Sequence, residues 1–193
     1  MRHGSTGRDL YGRMVGSSDV PLGPEGPGQV REAAKALSGL AFSAFYASPR
    51  LRARQTAAIL DEELGLGPPQ IADELREVDF GRWELLNFAE IRNKDPELAG
   101  RWAVWSPDFA FPQGERVGDF IGRVKGWAEA LPECEGNVLV VAHGGVVRAL
   151  VCHFLGLDPS QYLLFDVKPA AMVRMEIFAT GRGVITFSRE KNG

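Results

Sequence analysis

Apolar positions along this chain switch between a helical period and short continuous runs, and the switching predicts helices and strands in alternation. From about Glu25 to Leu40, Val30, Ala33, Ala34, Leu37 and Leu40 recur at helical spacing, with Gly39 near the end. Ala44-Phe45-Tyr46-Ala47 reads as a strand. Ser48-Pro49 then reads as a helix start, with serine at the cap and proline at the first helical position, and the helix runs from Arg50 to about Leu64. Gln70 to Ala72 suits a short strand, and Asp73 to Glu84 is a loop that mixes carboxylates with Phe80 and Trp83. Short helices are expected over Phe88–Asn93 and Pro96–Trp105. A longer one is expected from Gly114-Glu115 to Leu131, with Val117, Phe120, Ile121, Val124, Trp127 and Leu131 on one face.

Val138-Leu139-Val140-Val141-Ala142 is the strongest strand signal, because an unbroken apolar run suits a strand covered on both faces. His143-Gly144-Gly145 ends it and opens a helix to Leu155. Two final strands are expected over Met172–Ala179 and Val184–Ser188. Alternating strands and helices imply an α/β fold, a three-layer α/β/α sandwich around a mostly parallel sheet, in one domain over residues 1–193. Ligands of such sheets bind beyond the carboxyl ends of the strands. Arg2-His3-Gly4, Ser48 to Arg52 and His143-Gly144-Gly145 are therefore expected to converge on one crevice.

Composition narrows the partners. A net charge of -3 and a pI near 5.7 argue against general binding to nucleic acid or to a membrane surface, both of which reward a positive field. Cys134 and Cys152 are far apart, which suggests neither a disulfide framework nor a zinc site and fits a cytoplasmic setting. No stretch approaches the roughly 20 apolar residues that span a bilayer.

The expected crevice gathers two histidines followed by glycine, candidate arginines and two helix starts with free N–H groups, all of which favour an oxyanion. A neutral imidazole can attack phosphorus directly, and neighbouring guanidinium groups keep it neutral. His3 is the candidate nucleophile, Arg2, Arg52 and His143 the clamp on the phosphoryl oxygens, and Glu77, in the carboxylate-rich loop, the proton donor. Against this stands the plainer possibility that Arg50, Arg52 and Arg54 form a solvated helix face and that Asp73, Glu74, Glu77 and Asp79 form an acidic surface loop. Phe80, Trp83, Trp102 and Trp105 read first as a local core, and His153 as packing or surface.

At these residues the sequence resembles the histidine phosphatase superfamily, with its phosphoglycerate-mutase-like fold, over essentially the whole chain. The motifs are Arg2-His3-Gly4-Ser5-Thr6, Asp19-Val20-Pro21-Leu22, Ser48-Pro49-Arg50-Leu51-Arg52-Ala53-Arg54-Gln55-Thr56-Ala57, Leu75-Arg76-Glu77-Val78-Asp79-Phe80-Gly81, and Val141-Ala142-His143-Gly144-Gly145. The resemblance implies a phosphomonoesterase working through phosphohistidine without metal or other cofactor. It assigns the phosphate-binding arginine to Arg52 rather than Arg50, and it adds Asp9 and Gly144 to the substrate-binding set. Within the superfamily the sequence looks like the α-ribazole-5'-phosphate phosphatases of cobalamin assembly, and broad-specificity phosphatases share most of these motifs. The implied partner is a small phosphorylated metabolite, and the implied state a monomer or homodimer.

Two alternatives carry their own discriminators. A cofactor-dependent phosphoglycerate mutase-like isomerase would return the phosphoryl group to a second hydroxyl, and a non-catalytic phosphate-binding module would bind without turnover. The sequence also departs from the family pattern. A hydrophobic strand is expected ahead of Arg2-His3-Gly4, whereas the sequence begins at Met1, so either that strand is missing from it or the sheet is built without it; a lost strand would strip support from His3. Ser5 replaces an acidic residue, Asp9 an asparagine and Leu85 a glycine; Asp9 would repel a second anionic group.

Overall fold

The computed structural model describes residues 1–132, 135–178 and 180–185. Its centre is a three-stranded parallel sheet in the order β2 (Gln70–Ile71), β1 (Phe42–Ala47), β3 (Asn137–Val141). Successive side chains of these strands point to opposite faces, and both faces are covered. Phe45, Ala47, Leu139 and Val141 pack with Val30, Ala34, Ala53, Ala57 and Leu60, which lie on α1 (Gly26–Lys35) and α2 (Leu51–Leu64). Tyr46, Val140 and Ala142 face the other way, against Phe120, Val124, Val146 and Leu150 of α5 (Val117–Glu129) and α6 (Gly144–Leu155). Helix, sheet and helix layers follow from this alternation.

The edges of several elements differ from expectation. The first helix ends at Lys35, and the chain continues to Leu40 through bonds that span three residues, Ala36 to Ala33, Leu37 to Ala34 and Ser38 to Lys35. Ser48 does not cap α2. Arg50 holds the cap position, and the Leu51 N–H is satisfied at 2.6 Å by the carboxylate of Asp19, brought from another loop. The fourth helix, α4 (Pro96–Trp102), stops three residues short of Trp105, after α3 (Phe88–Lys94) with its Asn87–Glu90 capping box. Gly114-Glu115 belongs to a turn before α5, where the Gly114 N–H bonds Phe111 and the Glu115 carboxylate holds Arg123. The last strands, β4 (Met175–Ile177) and β5 (Gly183–Ile185), form a separate antiparallel ribbon packed near Val147, Val151 and Val167. Ala179 and residues 186–188 of the expected strands lie outside the described residues.

His3 does not lack support. Residues 1–3 lie beside the carboxyl end of β3, where Ala142 bonds Met1 and the His3 N–H bonds Ala142, each at 2.9 Å. On their other side, Arg2 donates to Ala171 and Ala170 donates to the His3 carbonyl, both at 3.0 Å. Three residues paired on both sides fix the His3 backbone as a central strand would.

The loop after β2 is anchored by aromatic packing. Trp83 is fully buried among Trp102, Phe109 and Phe111, and its indole N–H donates to Asp95 at 2.8 Å. Phe80 meets Phe111 edge to face. This local core lies under the segment that carries Glu77.

Candidate active site

The three expected segments do converge. His3, Ser48, Arg52, Thr56, Glu77 and His143 make up the buried polar and charged side chains among the described residues. Burying six such groups is costly unless they satisfy one another or await a ligand.

His3 donates or accepts through Nδ1 at 2.7 Å from the carbonyl of Gly4. A carbonyl only accepts, so Nδ1 carries the proton and Nε2 keeps its lone pair. Burial, then the Arg52 charge and the nearby Arg2, push this imidazole from its usual 6.5 down to about 3, with the Gly4 bond opposing. It is a neutral base with one bare nitrogen. Thr56 holds the backbone beside it: its hydroxyl accepts from the Gly4 N–H at 3.1 Å and donates to the Arg52 carbonyl at 2.8 Å.

His143 lies with its ring centre 5.1 Å from that of His3 and is arranged the other way round. Its Nε2 is 2.7 Å from the Ser48 hydroxyl, which already accepts from the Arg50 N–H at 3.3 Å. When the serine proton goes to Nε2, the ring proton lies on Nδ1. That nitrogen is buried without a partner among the described residues. Burial, Arg52, His3, Arg50 and Arg2 together hold His143 well below its usual value, so it too is neutral.

Arg2 lies beside the first turn of α6. Its Nη1 donates to the Val167 carbonyl at 2.6 Å, and its Nε has no partner among the described residues. Arg52, fully buried, directs its outer nitrogens into the loop before Asp19, to the carbonyls of Val15, Gly16 and Ser18 at 3.1, 2.8 and 2.8 Å. Its Nε is also unpartnered among the described residues, as is that of Arg50. Arg50, set aside on the motif pattern, therefore adds its charge to the same cluster. Sequence gave no reason to separate these nitrogens, because only the fold shows which donors the loop already occupies.

Glu77 accepts from the Gly145 N–H at 3.0 Å and the Val78 N–H at 3.2 Å. This corrects the expectation of free N–H groups at both helix starts: one at α6 is taken by Glu77 and one at α2 by Asp19. It also changes which glycine matters. A Cβ on Gly145 would lie 2.4 Å from a Glu77 oxygen, whereas a Cβ on Gly144 would have its nearest contact, Arg2, at 3.7 Å.

Asp9 stands apart. It lies exposed in the short turn Arg8–Leu10, and among the described residues its carboxylate bonds none of these groups. Ser48, Thr56, Gly145 and Glu84 are the residues that motif reasoning left without a role. Arg52 and Thr56 stand four apart on one helix face, which was the available signal for Thr56. No group of three His, Cys, Asp or Glu side chains among the described residues is placed to hold a metal ion, and no helix among them is long and apolar enough to cross a membrane.

The model of the histidine phosphatase superfamily, branch 1, matches residues 1–189. The adenosylcobalamin/alpha-ribazole phosphatase of Escherichia coli K12 is 30% identical over 94% of this chain and 92% of its own. Phosphoserine phosphatase 1 of Hydrogenobacter thermophilus is 31% identical over 91% and 85%. Among solved structures, the alpha-ribazole phosphatase of Shigella flexneri superposes with a TM-score of 0.83 at 26% identity, covering 96% of this chain and 92% of that one. A mycobacterial glucosyl-3-phosphoglycerate phosphatase gives 0.81 at 27%, covering 95% and 93%. The family model, the fold, the motif set and these four phosphatases agree, and the chain belongs to the histidine phosphatase superfamily.

Proposed function

We propose that this phosphatase hydrolyses a small phosphomonoester through a phosphohistidine on His3. One observation carries the reading. Of the five buried side-chain nitrogens and oxygens without a partner among the described residues, four belong to Arg2, Arg50, Arg52 and His143, and all four are nitrogens. Buried polar atoms are normally paired, so a cluster of orphan donors around a bare imidazole nitrogen is a place for an oxyanion.

The chemistry follows from those positions. The His3 Nε2 lone pair forms the P–N bond as the P–O bond to the leaving alcohol breaks. Arg2, Arg52 and His143 Nδ1–H take up charge on the transferring oxygens. Glu77 serves as the proton donor to the leaving oxygen. As carboxylate it then accepts a proton from the water that attacks phosphorus, and His3 departs neutral. No free phosphoryl group is released before water arrives.

Alpha-ribazole-5'-phosphate is the first substrate to test, supported by the relatives from Escherichia coli and Shigella flexneri; phosphoserine and glucosyl-3-phosphoglycerate follow from the other two. The protein's setting in this reading is the cytoplasm, acting as a monomer or homodimer on a soluble metabolite. The test is a panel of these esters with p-nitrophenyl phosphate as reference, followed by quenching in alkaline denaturant, in which phosphohistidine is stable. Inorganic phosphate as sole product, with acid-labile label on His3, is expected. Release of phosphate by a His3→Ala protein at the wild-type rate would sink the reading.

A further inference from the structure

Among the described residues Glu84 makes no hydrogen bond or ion pair with the groups proposed to hold phosphate, although its charge acts on Arg52, and it is bonded to the loop before Asp19 and to Phe80. Its two oxygens accept from the N–H groups of Gly16, Ser17 and Ser18 at 3.2, 2.8 and 3.1 Å and from that of Phe80 at 3.2 Å. Burial opposes its charge, but the bonds from Ser17, Ser18 and Phe80 outweigh it and hold the carboxyl below the usual range. Such a half-buried carboxylate with four donors is a fixed point.

The same stretch of chain receives Arg52 on its other side. Peptide groups are planar and, in the trans form, point their N–H and C=O in opposite directions. The plane joining Val15 to Gly16 gives its N–H to Glu84 and its carbonyl to Arg52; the plane joining Gly16 to Ser17 does the same. Carboxylate and guanidinium thus grip two peptide planes from opposite edges, 32 residues apart in sequence. Turning either plane would break a bond to each. The loop has no room to slide, because a Cβ on Gly16 would fall 1.9 Å from the Val78 carbonyl, next to Glu77.

We infer that Glu84 is a positioning residue: by fixing the peptide planes of residues 15–17 it sets the direction of the Arg52 guanidinium, so that Nε faces the transferring phosphoryl group. The inference rests on the assignment of Arg52 to phosphate. It predicts coupling between two residues that are not in the same motif and share no direct hydrogen bond.

A double-mutant cycle tests it, reading kcat/KM for p-nitrophenyl phosphate and the inhibition constant of inorganic phosphate. Glu84→Gln keeps the shape but places an amide NH2 against N–H donors. It is expected to lower kcat/KM by about 10- to 100-fold and to weaken phosphate inhibition, the usual result of misplacing a binding group. In an Arg52→Ala background the same change should add less than about threefold, since coupled residues are not additive. A role in general stability alone would instead multiply the two effects, and that outcome overturns the inference. So does wild-type behaviour of Glu84→Gln beside a crippled Arg52→Ala. An Arg52→Ala protein with unchanged rate and phosphate inhibition overturns both this inference and the assignment beneath it. If thermal melting shows Glu84→Gln to be unfolded, Glu84→Asp, which keeps the charge and shortens the reach, carries the cycle with the same readings.

Discussion

His3 and His143 are both buried imidazoles followed by glycine, and both lie at the carboxyl end of β3, His143 just after it and His3 in the segment bonded beside it. Their second bonds make them different. His3 fastens Nδ1 to its own chain, at Gly4, and presents a bare Nε2. His143 fastens Nε2 to Ser48, on another element, and presents Nδ1–H. One is suited to attack phosphorus and the other to donate to an oxygen that gains charge. The lesson is that histidine chemistry is set by the partner of the far nitrogen.

Breaking that difference should give a graded series. His3→Ala removes the attacking atom and is expected to cost on the order of 10^4-fold or more in kcat, the scale seen when a nucleophile is deleted; steady-state and single-turnover rates with p-nitrophenyl phosphate would check it. His143→Ala removes one preorganised donor and should cost about 10^2- to 10^3-fold, while leaving label on His3 detectable after an alkaline quench. Ser48→Ala spares the His143 ring but frees its tautomer. The expected loss is about 5- to 20-fold, the worth of one hydrogen bond to a working group, and a loss as large as that of His143→Ala would show that Ser48 acts in some other way.

The smallest effect concerns stability. His3 falls from 6.5 to about 3 and His143 shifts in the same direction, chiefly by burial. Below pH 6.5 the unfolded chain binds protons that the native state does not, so unfolding becomes easier as pH falls from 6.5 toward 3. Above 6.5 these two groups contribute no slope. Thermal midpoints across pH 4 to 8 should show this decline, and His3→Gln should make it shallower; an unchanged slope would mean that the buried imidazole is not what binds those protons.

Much of the architecture was legible because it rests on local pattern. The run Val138 to Ala142 gave a strand covered on both faces, and helical spacing gave α2, α5 and α6 within a few residues. The misses have local causes as well. Ser48-Pro49 has the form of a helix start, but the serine hydroxyl is used by His143 and the cap comes from Asp19. Trp105 extends an apolar pattern that the helix itself abandons at Trp102. Glu77 could be picked out as one carboxylate among several only through its motif; its bond to Gly145 joins residues 68 apart and leaves no local trace.

By itself, then, the sequence determined the layers, the convergence of Arg2, His3, Arg52 and His143, and membership of a phosphatase family, since hydrophobic period and short motifs are properties of neighbouring residues. The tertiary structure alone decided which nitrogen of each histidine is free, which guanidinium donors remain after the Val15–Ser18 loop has taken its share, and that Glu84 grips that loop. Those are questions of hydrogen-bond direction between distant segments. Such bonds depend on distances of about 3 Å and on angle, and neither is encoded in spacing along the chain.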